Sequence, residues 1–135
     1  MGAPHDLDAP IEIRRGNDDP GVIWEFENAD GTPCVLAGAF VLEVVWPAVS
    51  ASYLGGAKPA GRIDHSSDPD DDQSPAALVV EASAGRVTWP LTLAESEAVP
   101  RAQGVAGPRY VLRNVRNGKT RDWAGGPVVV GDYLS

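Results

Sequence analysis

Histidine is the side chain best suited to acid–base chemistry near neutral pH, and this chain contains two, His5 and His65. His65 stands between Asp64 and Ser66, which are the residue types of a serine hydrolase triad. A triad is defined by geometry in space and not by adjacency in sequence. The chain also lacks a Gly-x-Ser-x-Gly segment, the strained turn that exposes the nucleophile in many hydrolases. The sequence therefore predicts no catalytic histidine.

Pairs of carboxylates could perform glycoside hydrolysis, and two pairs stand out, Glu25 with Glu27 and Glu95 with Glu97. Side chains two positions apart on a strand lie roughly 6–7 Å apart on one face, a separation compatible with that chemistry. However, the alternation of charged and apolar residues around Trp24 already explains Glu25 and Glu27 as solvent-facing. We therefore predict no catalytic residue and no enzymatic activity.

The acidic run at Asp68 and Asp70–Asp72 could supply oxygen ligands to calcium, with Asp64 as a further candidate. An EF-hand loop requires ligands at alternating positions, a central glycine and a late glutamate, and this run has none of that pattern. A solvated charge run is the simpler interpretation. The single cysteine, Cys34, excludes an internal disulfide and a cysteine zinc site. We predict no metal and no cofactor.

The charge balance limits the partners that the chain can bind. It has 135 residues with 11 basic and 19 acidic side chains, a net charge of −8. This balance opposes binding to nucleic acid, which depends on clustered Lys and Arg, and adsorption to an anionic membrane. The N-terminus lacks the basic and apolar regions of a signal peptide, and no apolar run approaches the roughly 18 residues of a membrane span. We expect synthesis in the cytoplasm and no membrane or nucleic-acid partner.

Alternation of apolar and polar residues predicts about seven strands separated by turn signals, which is typical of an all-β sandwich. The expected strands are residues 11–14, 22–26, 39–46, 77–82 and 86–89, followed by two long strands near the C-terminus. The 39–46 strand carries little charge and is expected to be central and covered on both faces. A capping box formed by Thr92 and Glu95 predicts one short helical turn.

The predicted domain organisation is simple. Residues 1–10 are polar and interrupted by proline, and we expect a flexible N-terminal arm. Residues 11–135 form a single β-sandwich domain. Residues 50–76 lose the strand pattern and contain the acidic run, so we predict a long acidic loop there.

The two long strands are predicted to form a hairpin around Asn117 and Gly118, because Asn-Gly is the dipeptide that best accepts the positive φ angles of a type I′ turn. After this turn, Lys119, Arg121 and Trp123 share one face. We predict that these three residues contact a partner protein.

The four tryptophans could otherwise form a platform for sugar binding. Trp24, Trp46 and Trp89 lie on the apolar parity of their strands, so core packing is expected for them. Trp123 follows two basic residues on its face and is the exception. If it contacts a partner, Trp123→Ala should weaken assembly and leave the fold intact.

Two blocks of the sequence resemble a known family. The first runs from Ile13 to Gly38 and includes the Asp30-Gly31-Thr32-Pro33 turn. The second includes the Gly85–Trp89 strand and the segment from Arg109 to Leu112, and continues into the closing strands. Together they resemble the small immunoglobulin-like β-sandwich domains of tailed-phage structural proteins, above all the N-terminal domain of upper baseplate proteins and related minor tail proteins. The chain departs from that pattern at Asn17, which separates the glycine and aspartate of the first turn, and in the length of its 50–75 segment.

The resemblance implies an immunoglobulin-like sandwich in the virion, made in the host cytoplasm and bound to other phage structural proteins as part of an oligomeric particle. The leading hypothesis is therefore a non-enzymatic tail or baseplate interaction module. The alternative hypothesis is a carbohydrate-binding module that uses exposed tryptophan and calcium. A tryptophan fluorescence titration with host polysaccharide, with and without EDTA, distinguishes the two.

Overall fold

The computed structural model describes residues 10–15, 21–48, 60–74, 77–99 and 107–132. Apart from Pro10, the predicted N-terminal arm lies outside these ranges, as do residues 50–59 and 75–76 of the predicted loop. The described elements are β1 (Ile11–Arg15), β2 (Val22–Glu25), β3 (Ala39–Trp46), β4 (Gly61–Ser66), β5 (Val79–Glu81), a 3-10 turn (Ala82–Ala84), β6 (Arg86–Trp89), α1 (Leu93–Ala98), β7 (Arg109–Arg116) and β8 (Lys119–Asp132).

The strands form two sheets. The larger has the order β1-β8-β7-β3-β4 and the smaller has the order β2-β6-β5. All pairs are antiparallel except β1 with β8, which run parallel. The predicted all-β class is confirmed, with eight strands described where about seven were expected.

The additional strand is β4, which occupies part of the segment predicted as a loop. It pairs antiparallel with β3 from Gly61 to Ser66. Its exposed residues, Arg62 and Asp64, alternate with the half-buried Ile63 and the buried His65. The sequence pattern did not predict this strand because His65 occupies an inward position that would normally carry an apolar residue.

β3 is central, as predicted, because it pairs with β4 on one side and β7 on the other. Its inward residues, Phe40, Leu42 and Val44, are fully buried. The prediction that both faces of β3 are covered is wrong, because Val45 on the outward face is 39% exposed. The strand is therefore flanked in its sheet but open to solvent on one face.

The predicted hairpin is confirmed between β7 and β8. Asn117 and Gly118 have φ angles of 54° and 73°, as a type I′ turn requires at its two central positions. Further along, the register shifts so that Leu112 pairs with Ala124 while Arg113 pairs with Asp122. Trp123 is thus an extra residue in β8, a β-bulge.

The two sheets enclose one hydrophobic core. Trp89, Tyr110 and Phe40 are the largest fully buried side chains in the described part of the chain. The indole Nε1 of Trp24 on β2 donates a hydrogen bond to the Tyr110 hydroxyl on β7 over 3.3 Å. Because β2 and β7 belong to different sheets, this contact links the layers through the core.

Helix α1 begins with the predicted capping box. The Thr92 side chain accepts from the backbone N–H of Glu95, and the Glu95 side chain accepts from the backbone N–H of Thr92. Neither helical segment in the described ranges has the length and apolar character needed to cross a membrane.

Candidate functional site

The three predicted contact residues lie on the first half of β8. Lys119 and Arg121 are exposed, whereas Trp123 is half-buried. The Trp123 ring packs edge-on against Phe26 and Phe40, with centroid distances of 5.1 and 5.2 Å and interplanar angles of 83° and 86°. This perpendicular arrangement is a favourable geometry for aromatic pairs. The structure therefore keeps the two basic residues at the surface and engages the tryptophan with the core.

The bulge lets β8 carry exposed basic residues near the turn and core-facing residues further along the strand. Side chains alternate along a strand, so residues of one parity share a face. An extra residue resets that parity. Lys119 and Arg121 share the parity of the bulged residue Trp123, and the adjacent Ala124, followed by Val128, faces the core after the bulge.

The hairpin concentrates positive charge in an acidic protein. Five of the 11 basic residues fall between Arg109 and Asp122, and Asp122 is the only acidic residue in that interval. Among the described residues, Arg116, Lys119 and Arg121 make no ion pair. These three side chains are exposed, and we refer to them as the hairpin cations.

The outer face of the large sheet carries a network of ion pairs. Arg62 contacts Glu43 and Asp64, each at 2.8 Å. Arg113 contacts Asp122 at 3.0 Å and Glu43 at 3.6 Å. Each of these three carboxylates is therefore paired with one or both of two arginines in the same sheet.

A second cluster, which the sequence did not reveal, surrounds His65. The imidazole Nδ1 lies 2.6 Å from Asp72 Oδ2, and Nε2 lies 2.5 Å from Glu95 Oε2. The His65 side chain is 9% exposed, and the two carboxylate side chains are 12% and 18% exposed. The cluster ties β4 to the following acidic turn and to helix α1.

Each carboxylate of this cluster is held by further donors. Asp72 accepts from the backbone N–H groups of Ser66 and Ser74, and Glu95 Oε1 accepts from the backbone of Thr92. The indole ring of Trp89 lies 6.2 Å from the imidazole. Sequence reasoning missed the cluster because its members are 7 and 30 residues from His65; the one available signal was the inward parity of His65 in an alternating segment.

The pKa shifts follow from this geometry. Burial by itself lowers the pKa of His65, but the hydrogen bonds with Glu95 and Asp72 outweigh burial and raise the pKa above its ordinary 6.5. Burial opposes ionisation of Asp72, but the hydrogen bond from His65 holds its pKa well below 3.8. Likewise, burial is outweighed at Glu95, whose pKa falls below 4.5 because of His65 and Thr92. The cluster is thus an imidazolium between two carboxylates.

The buried indole N–H of Trp89 has no partner of good hydrogen-bond geometry among the described residues. It nevertheless lies close enough to Glu95 to lower the pKa of that carboxyl further. This N–H therefore adds to the positive surroundings that keep Glu95 ionised.

The cluster is not arranged as a catalytic triad. Asp64 is hydrogen-bonded to Arg62, and the Ser66 hydroxyl accepts from the backbone of Asp68. Both ring nitrogens of His65 already face carboxylates, so neither is available to take a proton from a nucleophile. The arrangement is suited to holding three segments together.

The acidic run forms a turn. The Asp68 carboxylate accepts from the backbone of Asp70, and the Asp68 carbonyl accepts from the backbones of Asp71 and Asp72. Within the described ranges, no group of three or more His, Cys, Asp or Glu side chains is placed to hold a metal ion.

The tryptophans offer little platform for a sugar. Trp24 and Trp89 are buried, as predicted, with 7% and 0% exposure. Trp46 and Trp123 are half-buried against the core. One member of each glutamate pair is already engaged by another side chain. Glu25 contacts Arg86 at 3.3 Å, and Glu95 contacts His65.

Comparisons of the chain with protein families, with curated proteins and with solved structures found no match.

Proposed function

We propose that this chain is a non-enzymatic structural protein of a tailed phage or prophage-derived particle, where it acts as a tail or baseplate protein–protein interaction module. The observation that carries the interaction role is the group of hairpin cations, which are exposed and unpaired within the described part of an otherwise acidic chain. The assignment to a phage particle rests on the resemblance of residues 13–38, and of the block that begins at Gly85 and includes the closing strands, to the baseplate domains.

The strand order supports an immunoglobulin-like topology as part of this proposal. Immunoglobulin sandwiches place strands B, E and D in one sheet and G, F and C in the other, with C′ added in the variable type. Lettered along the chain, β2, β6 and β5 would be B, E and D. In the same way β8, β7, β3 and β4 would be G, F, C and C′, with β1 beside G.

The hairpin cations favour a partner with an acidic surface. Charged residues at the rim of an interface guide association and orientation more than they add affinity. The sheet edges at β1 and β4 offer a second mode of contact, because edge strands have backbone groups that can accept an added strand. We infer that the partners are other structural proteins of the particle and that the chain is oligomeric there.

The first test is mass spectrometry of sedimented, nuclease-treated phage-like particles from the source organism. Recovery of the chain at a stoichiometry that matches a tail or baseplate ring would support the proposal. Recovery only in the soluble fraction would contradict it.

The second test addresses the hairpin directly. Lys119→Glu combined with Arg121→Glu should reduce incorporation into particles, because the reversed charges repel an acidic partner. Gln73→Glu combined with Ala94→Glu adds negative charge at exposed positions away from the hairpin and should leave incorporation unchanged. Equal incorporation of both variants would exclude the hairpin as the contact.

The carbohydrate-binding alternative has less support, because every tryptophan in the structure is at least half-buried. Its test is the fluorescence titration with host polysaccharide, with and without EDTA. Saturable quenching that EDTA abolishes would favour this alternative over the structural role.

A further inference from the structure

The outer face of the large sheet contains a hollow of about 180 Å³, and none of the hairpin cations lines it. Gly125 pairs with Val111 across the β7–β8 register. Since glycine has no side chain, the sheet surface is indented beside Val111. Val45, Arg109 and Gly126 also line the hollow.

Arg109 is the distinctive residue of this hollow. Its neighbours across the sheet are Val45 on β3 and Pro127 on β8, neither of which carries a charge. The side chain is exposed and makes no ion pair with any residue in the described ranges. By contrast, the rim carboxylates Glu43 and Asp122 are engaged by other arginines.

The hollow therefore presents an apolar surface next to an unneutralised guanidinium. Val45 is 39% exposed, so an aliphatic group placed there would remove apolar area from water. A guanidinium prefers a carboxylate, with which it can form two parallel hydrogen bonds. The complementary ligand combines an aliphatic group with a neighbouring carboxylate.

The size of the hollow indicates the source of that ligand. Pockets for free small molecules usually measure about 300–1,000 Å³, and this hollow is smaller. Its volume suits one aliphatic side chain. We propose that the hollow docks a protein segment that inserts an aliphatic side chain beside Val111 and places an adjacent carboxylate on Arg109.

The test is a chemical-shift titration of the ¹⁵N-labelled full chain with two short peptides, acetyl-Gly-Leu-Glu-Gly-amide and acetyl-Gly-Leu-Gln-Gly-amide, at millimolar concentrations. Both should shift the amide signals of Val111, Gly125 and Gly126. The glutamate peptide should bind roughly twofold to fivefold more tightly, as expected for one exposed ion pair. This preference should shrink as salt is added.

Matched variants assign the effect to the two features of the hollow. Arg109→Gln should make the peptides equal, whereas Arg116→Gln removes an unpaired arginine outside the hollow and should keep the preference. Gly125→Val fills the indentation and should abolish binding of both peptides, while preserved dispersion of the remaining amide signals shows that the fold is retained.

Three outcomes would overturn the proposal. The first is the absence of shifts at these amides. The second is an unchanged preference in Arg109→Gln. The third is tighter binding of free 4-methylpentanoate than of the glutamate peptide, which would make the hollow a small-molecule site. None of these outcomes depends on incorporation into particles, so they are distinguishable from a failure of the proposed function.

Discussion

His65 holds a positive charge because each of its ring nitrogens faces a carboxylate oxygen. A neutral imidazole has one donor and one acceptor, so deprotonation would leave a lone pair facing either Asp72 or Glu95. A buried charge is costly unless it is paired and hydrogen-bonded, and here the two carboxylates provide both. The cluster should therefore stabilise the fold over a limited range of pH.

The replacement His65→Gln tests that range. The folded-state pKa of His65 is raised, so its contribution is fully present below 6.5 and is lost as pH rises through the folded value. The pKa values of Asp72 and Glu95 are lowered, so their contributions are present above 3.8 and 4.5 and are lost at lower pH. Urea unfolding across pH should show the largest difference between wild type and variant from 4.5 to 6.5. A difference that is constant with pH would contradict the charged cluster.

Neighbouring aspartates provide a matched pair for the same cluster. Asp72→Asn removes a charged hydrogen-bond acceptor from His65 and should reduce the free energy of unfolding by about 2–3 kcal/mol. Asp71→Asn changes an exposed residue of the same turn and should alter it by less than about 0.5 kcal/mol. Denaturant unfolding at a pH between 4.5 and 6.5 measures both. Equal effects would show that the His65 contact does not stabilise the fold.

Trp123 packs against the core although it shares its face of β8 with the exposed Lys119 and Arg121. Because its ring packs against Phe26 and Phe40, we expect Trp123→Ala to lower the free energy of unfolding by about 2–4 kcal/mol. Lys119→Ala and Arg121→Ala should each change it by no more than about 0.5 kcal/mol. Thermal unfolding of the three variants measures these differences. A Trp123→Ala variant as stable as wild type would contradict a role of this side chain in the core.

At the scale of elements, the hairpin and the bulge determine what β8 presents. The Asn117-Gly118 turn sets the register of the strands, and the bulge at Trp123 resets which side chains face the core. Without the extra residue, Val128 and Val130 would take the parity that faces solvent. The hairpin cations and the buried end of β8 therefore depend on one irregularity in the strand.

Two glycines at positive φ should differ in their tolerance of alanine. Gly118 has a φ of 73°, and a Cβ there would meet no atom within 4 Å, so Gly118→Ala meets only backbone strain, about 1 kcal/mol. Gly38 has a φ of 81°, and a Cβ there would lie 2.4 Å from the Val115 carbonyl oxygen. Gly38→Ala should therefore cost roughly 3 kcal/mol or more. Equilibrium unfolding measures the loss of stability in both variants. A larger loss in Gly118→Ala than in Gly38→Ala would contradict the close approach of Gly38 to β7.

At the scale of the molecule, one core spans both sheets among the described residues, and the Trp24–Tyr110 hydrogen bond joins the sheets. Two layers that share one core should unfold together. For 135 residues, calorimetry should show one transition with an enthalpy of about 90–100 kcal/mol near 60 °C. Two separate transitions would show that the sheets are independent units.

Charge is also organised at this scale. The chain is acidic overall, yet the hairpin cations and Arg109 project unneutralised positive charge from β7 and β8. Composition alone argues against basic contact surfaces, because it averages over the molecule. In the structure the hairpin cations lie at the turn end of the β7–β8 pair, whereas Arg109 lies at the other end of β7, between Val45 and Pro127.

The sequence by itself determined the features that depend on neighbouring residues. Alternation predicted β2, β3 and β6, the Asn-Gly dipeptide predicted the hairpin, and the Thr92–Glu95 spacing predicted the start of α1. These succeed because strand parity, turn conformation and helix capping are set by interactions within a few residues.

Only the tertiary structure decided the order of the strands in each sheet, the position of β4, the packing of Trp123 against the core and the partners of His65. Asp72 and Glu95 reach His65 from 7 and 30 residues away, and the Trp123 contacts depend on a register shift in β8. Such contacts follow from how distant strands pair and pack, and the shared core selects that arrangement. In the sequence, His65 interrupts the alternation of apolar and polar residues that would reveal β4. In the fold, the same side chain joins β4 to the acidic turn and to α1.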